Sequence, residues 1–137
     1  MTRKILCATD GADHSSIAVI HAAEMAALAK APLTICVVNV VHGGGRGPMI
    51  NHWADADVET ILKDAVALAA KHGAAKAETV TIRSREAAGG VVGYAETNGF
   101  DHIVMGTGDK RGMSRLILGS VAGEVAGRAH CTVTVAR

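Results

Sequence analysis

The sequence predicts an α/β fold, an open, doubly wound sandwich with a parallel sheet between two helix layers. Three observations carry that expectation. Short apolar runs alternate with longer stretches of good helix formers along all 137 residues. The first, second and fourth of these runs are continuously apolar rather than alternating, which marks strands covered on both faces. Aromatic residues make up 2% of the chain against 49% hydrophobic residues, so the core must be built from Ala, Val, Ile and Leu. Side chains of that size let helices lie close on a sheet.

Each element follows in order. Lys4–Thr9 reads as the first strand and Ser15–Ala31 as a helix. Pro32–Val41 is the second strand, and a loose Gly-rich stretch, HGGGRGPMINHW, follows it. Asp55–Gly73 carries Ile61, Leu62, Ala65, Val66 and Ala69 at helical spacing, and Gly73 can take the positive φ that ends a helix. Ala77–Arg83 is the third strand, and Ala87–Gly99 a weaker helix that Gly99 closes. Asp101–Thr107 is the fourth strand, Gly119–His130 the last helix and Cys131–Ala136 the fifth strand. The whole of 1–137 is expected to form one domain with right-handed crossovers. In such sheets ligands settle beyond the C-terminal ends of the strands, where strand order reverses.

Composition excludes several classes. The formal charge is +1 with no run of Lys or Arg, which argues against nucleic acid as a partner. No apolar run reaches the roughly 18 residues of a membrane span, and MTRKILCATD enters a strand without a signal-peptide pattern, so a cytoplasmic protein is expected. Cys7, Cys36 and Cys131 lie in strand-like runs without CxxC spacing and read as buried thiols of a reducing compartment. The seven histidines contain no HxxxH or HxH pair, so no metal site is expected.

The informative residues stand just after the strands. Asp10 follows the first strand, where a carboxylate can accept hydrogen bonds from a ribose or base; Gly11 permits a sharp turn, and Asp13 or Ser15 can cap the helix. His14 reads as a surface residue at the helix start. Four glycines between Gly43 and Gly47 suggest a solvated loop able to shut over a ligand. The HGGG there is not an esterase oxyanion loop, because no G-x-S-x-G elbow accompanies it. After the fourth strand, GTGDKRGMSRLILGSV sets Gly106 ahead of Gly119 and Ser120, which open the last helix. A glycine lets a ligand approach the backbone, and free helix N–H groups favour an anion. The spacer between them carries Lys110, Arg111 and Arg115. No G-K-[ST] of a Walker A loop occurs, and GTGDKRG follows the wrong strand for a dinucleotide fingerprint.

KILCATDGADHS, LTICVVNVV, YAETNGFDHIVMGT and RLILGSVAGEVAGRAHCTVTVAR together resemble the universal stress protein family over nearly the whole chain. The resemblance implies an adenine nucleotide alpha hydrolase-like fold, a five-stranded parallel sheet in order 3-2-1-4-5 with four helices. It implies ATP, or AMP or ADP, as ligand. It also implies a homodimer formed through the last strand, Thr132 to Ala136. The residues it points to are Ala8, Thr9, Asp10, Val40, Met105, Gly106, Gly108, Asp109, Gly119, Ser120 and Val121. Asp10 would hold the ribose or base edge, the Val40 main chain would read adenine, and Gly119, Ser120 and Val121 would bind phosphates.

The family pattern G-x2-G-x9-G-[ST] places its second glycine where this chain has Asp109. A carboxylate about 5 Å from a phosphate repels it by roughly 1–3 kcal/mol at effective dielectric constants between 80 and 20. Gly108 next door can take over the backbone role, while Lys110, Arg111 or a divalent ion such as Mg²⁺ facing Asp109 would offset the charge. A second departure is Arg85 or Glu86 where family members carry a glycine before the third helix. No nucleophile–base pair is evident, so regulation by bound nucleotide is expected rather than turnover, apart from slow ATP hydrolysis. The alternative reading is a stress-family dimer that binds no nucleotide and acts as a protein interaction module.

Overall fold

The chain runs β1 (Ile5–Ala8), α1 (Asp13–Ala29), β2 (Leu33–Gly43), β3 (Met49–Asn51) and α2 (Asp55–Lys71). It continues through β4 (Glu78–Ser84), α3 (Ala87–Thr97), β5 (His102–Gly106), α4 (Ser120–Arg128) and β6 (Thr132–Ala136). This computed structural model describes residues 2–107 and 120–137. Five strands are parallel in the order β4-β2-β1-β5-β6, the order the family resemblance implies.

Alternation along the strands feeds two cores, one on each face of the sheet. Ile5, Cys7, Leu33, Ile35, Val37 and Val104 meet Ala18, Ala22 and Ala26 of α1 and Val58, Leu62 and Ala65 of α2. Leu6, Cys36, Ile103 and Met105 meet Ala88, Val91 and Ala95 of α3 and Ala122 and Val125 of α4. The alanines bring α1 close enough to the sheet to leave Ile5 and Cys7 with no exposed surface. Burial drives the Cys36 thiol up to about 12 and raises Cys7 further, with Cys36 adding to the effect. Both are packing groups, as expected. Cys131, also read as buried, is instead partly exposed just before β6, where the chain leaves the helix layer, and its thiol is raised chiefly by the burial it retains.

Two expectations are corrected. The Gly-rich stretch is not simply a loop: β2 runs on to Gly43, and Met49–Asn51 returns antiparallel to it as a sixth strand. Gly43, Gly44 and Gly45 at φ 83°, 98° and 65° make that reversal possible. The hairpin is tied down by His52 N–H donating to Val40 O at 2.8 Å, and by Asn39. Asn39 is fully buried, donates to Trp53 O at 3.0 Å and accepts from Trp53 N–H at 2.9 Å. Arg85 clamps the hairpin from outside, donating to Gly43 O at 2.8 Å.

The second correction concerns the start of α1. Neither Asp13 nor Ser15 is its N-cap; Ala12 is, and it supplies no side-chain bond. Asp10 serves instead, its Oδ1 accepting from Ala12 N–H at 3.0 Å. At the other end α1 stops at Ala29, because Lys30 takes a left-handed φ of 53° and its N–H returns to Ala26 O.

The N-terminal edge of the sheet is closed separately. The Asp101 carboxylate accepts from the Arg3 and Lys4 N–H groups at 2.9–3.1 Å, and these bonds hold its pKa below the usual carboxylate range. His102 bridges Thr2 and Thr134 at 3.0 and 2.7 Å, and burial lowers its pKa. This leaves the opposite, C-terminal edge as the open end of the sheet.

Candidate functional site

Strand order reverses between β1 and β5, and a cleft of about 250 Å³ opens beyond the C-terminal ends of those two strands. Ala8, Thr9 and Asp10 form its floor from β1, and Met105, Gly106 and Thr107 from β5. The first residues of two helices wall it: His14 and Ser15 of α1, and Ser120, Val121 and Ala122 of α4. Val38 of β2 with Ala87 and Val91 of α3 makes an apolar side. The N-terminal residues of α4, Ser120 and Val121, thus adjoin the cleft.

The turn after β1 is rigidly wired. Thr9 N–H donates to Cys36 O at 2.9 Å, so the floor is an extension of the sheet. Thr9 Oγ1 accepts from Gly11 N–H at 3.2 Å and lies 2.9 Å from Ser15 Oγ. Ser15 Oγ is in turn 2.9 Å from both Asp10 Oδ1 and Ala12 O. Gly11 at φ 82° makes the bend. Asp10 Oδ1 is therefore committed to the turn, whereas Oδ2 takes no part in it. His14 Nε2 stands 3.3 Å from that Oδ2.

Gly106 has a role that its sequence position did not reveal. A Cβ there would come within 2.6 Å of His14 O and 3.1 Å of His14 Nδ1. Its bare Cα lets α1 press against the end of β5, as well as leaving backbone at the cleft. Gly106→Ala must push back the α1 main chain, and is expected to cost about 1–3 kcal/mol, as overpacking of a tight contact does. Urea unfolding checks this: the midpoint should fall with an unchanged slope.

Of the residues expected from the sequence, the cleft gathers Ala8, Thr9, Asp10, Met105, Gly106, Ser120 and Val121. Gly108, Asp109 and Gly119 lie outside the described residues. Val40 does not line the cleft, and its carbonyl already accepts from His52 N–H of the hairpin. Val38, two residues earlier, takes the wall position. His14, read as a surface residue, turns into the cleft with only 20% of its side chain exposed. Its spacing of four from Asp10 was the available signal. Arg85 and Glu86, the departure before the third helix, face elsewhere: Arg85 to the hairpin and Glu86 to Arg128 of α4 at 2.8 Å. Among the described residues no three His, Cys, Asp or Glu side chains gather as a metal-binding group.

A doubly wound sheet with a cleft at its switch point defines an α/β protein of the class whose ligands settle beyond the strand ends. Comparison with known proteins makes the class specific: the Universal stress protein family matches over residues 1–137, and the chain belongs to it. A universal stress protein of Methanocaldococcus jannaschii is 34% identical over 141 residues, covering 98% of this chain and 82% of the relative. Among solved structures, a universal stress protein in complex with cAMP superposes with a TM-score of 0.79 at 24% identity, over 99% of this chain and 97% of that one. The universal stress protein from Archaeoglobus fulgidus in complex with dAMP gives a TM-score of 0.71 at 27% identity, over 98% of each chain.

Proposed function

We propose that this protein binds ATP, or the related AMP or ADP, in the β1/β5 cleft and acts as a regulatory homodimer in stress response. The observation that carries this reading is the meeting, at one switch point, of the Asp10 carboxylate with the first turn of α4. A ribose hydroxyl suits the former and a phosphate the latter. The A. fulgidus relative's dAMP complex supports an adenine nucleotide as the class of ligand. In this reading Asp10 Oδ2 accepts from the ribose, Ala8, Thr9 and Gly106 give backbone approach, and Gly119, Ser120 and Val121 hold phosphate. The base lies against Val38, Val91 and Met105, and Val40 contributes only through the strand that carries Val38. Gly108 and Asp109 fall to the phosphate end.

Asp10 is the single carboxylate among the described cleft residues, and half its bonding capacity is spent on the turn. Mg²⁺ would accordingly rest on Asp109 and the phosphates. No nucleophile–base pair adjoins the phosphate end among the described residues, so the protein is read as a sensor, with slow ATP hydrolysis as its upper limit. β6 pairs with β5 and, among the described residues, with no second strand. Its part-buried Val133 and Val135 suit a second copy meeting at Thr132–Ala136. The location proposed is cytoplasmic, without membrane or nucleic-acid partners; among the described residues no helix is long and apolar enough to cross a membrane.

Equilibrium dialysis against ATP with and without Mg²⁺ tests the reading. Saturable binding of one nucleotide per chain is expected, and no binding under either condition rejects it in favour of an interaction module. Asp109→Gly should tighten Mg²⁺-free ATP binding about tenfold, the low end of the repulsion a nearby carboxylate exerts. Unchanged affinity would remove Asp109 from the phosphate site.

A further inference from the structure

The nucleotide reading leaves one group in the cleft unexplained. His14 Nδ1 is buried and has no hydrogen-bond partner among the described residues. It faces the Cα of Gly106, where even a methyl group would sit 3.1 Å away. A proton placed on Nδ1 would be a buried donor with no acceptor, a state that folded proteins avoid. The imidazole proton therefore resides on Nε2, the nitrogen beside Asp10 Oδ2. Nε2 is then a donor, and Oδ2, spared by the turn, is an acceptor 3.3 Å from it.

A donor and an acceptor side by side at that separation match two neighbouring hydroxyls, one accepting from Nε2–H and the other donating to Oδ2. We infer that His14 is a ligand-reading residue: its Nε2–H, held toward the cleft because Nδ1 is blocked by Gly106, donates to one hydroxyl of a ribose diol while Asp10 Oδ2 accepts from the neighbouring one. The pair would favour nucleotides with an intact ribose over those lacking a hydroxyl, since removal of either hydroxyl leaves one partner unmatched. This rests on the nucleotide reading above. It adds a determinant from α1 that neither the glycine pattern nor Asp10 alone supplies.

The test compares ATP, 2′-deoxy-ATP and 3′-deoxy-ATP by calorimetry on the full chain and on two variants. His14→Phe keeps a ring against Gly106 and removes the donor, and His14→Gln offers an amide donor in its place. The wild-type protein should bind at least one deoxy analogue about tenfold more weakly than ATP, the effect of one hydrogen bond to a charged site. His14→Phe should reduce that preference to about twofold or less, and His14→Gln should restore part of it. ATP binding with a preference that His14→Phe leaves intact, or with no preference in the wild type, overturns the role of His14 while the nucleotide reading stands. Failure of ATP to bind the wild-type protein overturns both. A ligand-free measurement gives an independent check: ¹⁵N-histidine NMR should show the His14 proton on Nε2, and a proton on Nδ1 overturns the assignment.

Discussion

Replacing Asn39 with alanine is expected to lower the free energy of unfolding by about 2–4 kcal/mol, because two buried partners lose their bonds at once. Asn39 sits on β2 with no exposed surface, and its amide pairs with both the N–H and the carbonyl of Trp53. In the alanine variant those main-chain groups must either find water or stay unpaired. The hairpin return between β3 and α2 would loosen with them, since the His52 to Val40 bond is its remaining backbone tie to the end of β2 beyond the strand ladder. Trp53 is the sole tryptophan, and it lies edge-on to His52 with ring centres 5.0 Å apart. Its fluorescence therefore reports the same event as chemical denaturation. A loss below about 0.5 kcal/mol, the scale of an ordinary surface substitution, with unchanged emission would contradict the account. Asn39→Asp separates the two bonds: it keeps an acceptor for Trp53 N–H but sets a carboxylate against Trp53 O, so it should not rescue.

Asp10→Ala is expected to weaken ATP binding by about 10- to 100-fold, the effect of a lost hydrogen bond to a charged group. The same variant should cost only about 1 kcal/mol of stability, as removal of a helix-capping side chain does. The two effects come from different oxygens. Oδ1 accepts from Ala12 N–H and lies against Ser15 Oγ, while Oδ2 is turned to His14 and the cleft. Asp10→Asn can keep the bond to Ala12 through its amide oxygen and loses the charge. It should recover most of the stability and little of the affinity. Calorimetric affinities paired with urea unfolding for the two variants would show this split. Wild-type affinity in Asp10→Ala would remove the carboxylate from the site.

Much of the fold was legible because continuous apolar runs leave few alternatives. ILCA, LTICVV and HIVM can be buried on both faces only in a sheet between helix layers, and the residues after two of them became the cleft floor. Glycine was less informative. Gly106 reads as an opening for a ligand, yet its missing Cβ also makes room for the His14 carbonyl, a contact between residues 92 positions apart. No local pattern encodes such a contact. The hairpin was illegible for a related reason: three positive-φ glycines mask a strand of three residues, MIN, whose stability comes from Asn39 and from β2. Cap chemistry also misled, because Asp10, three residues before α1, outcompetes Asp13 and Ser15 by folding its carboxylate back on Ala12.

The central claim is that a nucleotide lies between the Asp10 turn and the first turn of α4. The most direct test is a crystal structure of the full chain grown with ATP and Mg²⁺. The account predicts ribose density against Asp10 Oδ2 and His14 Nε2, with phosphate at the Ser120 and Val121 end. A cleft holding only water at saturating ATP, or a nucleotide seated elsewhere on the chain, would contradict it.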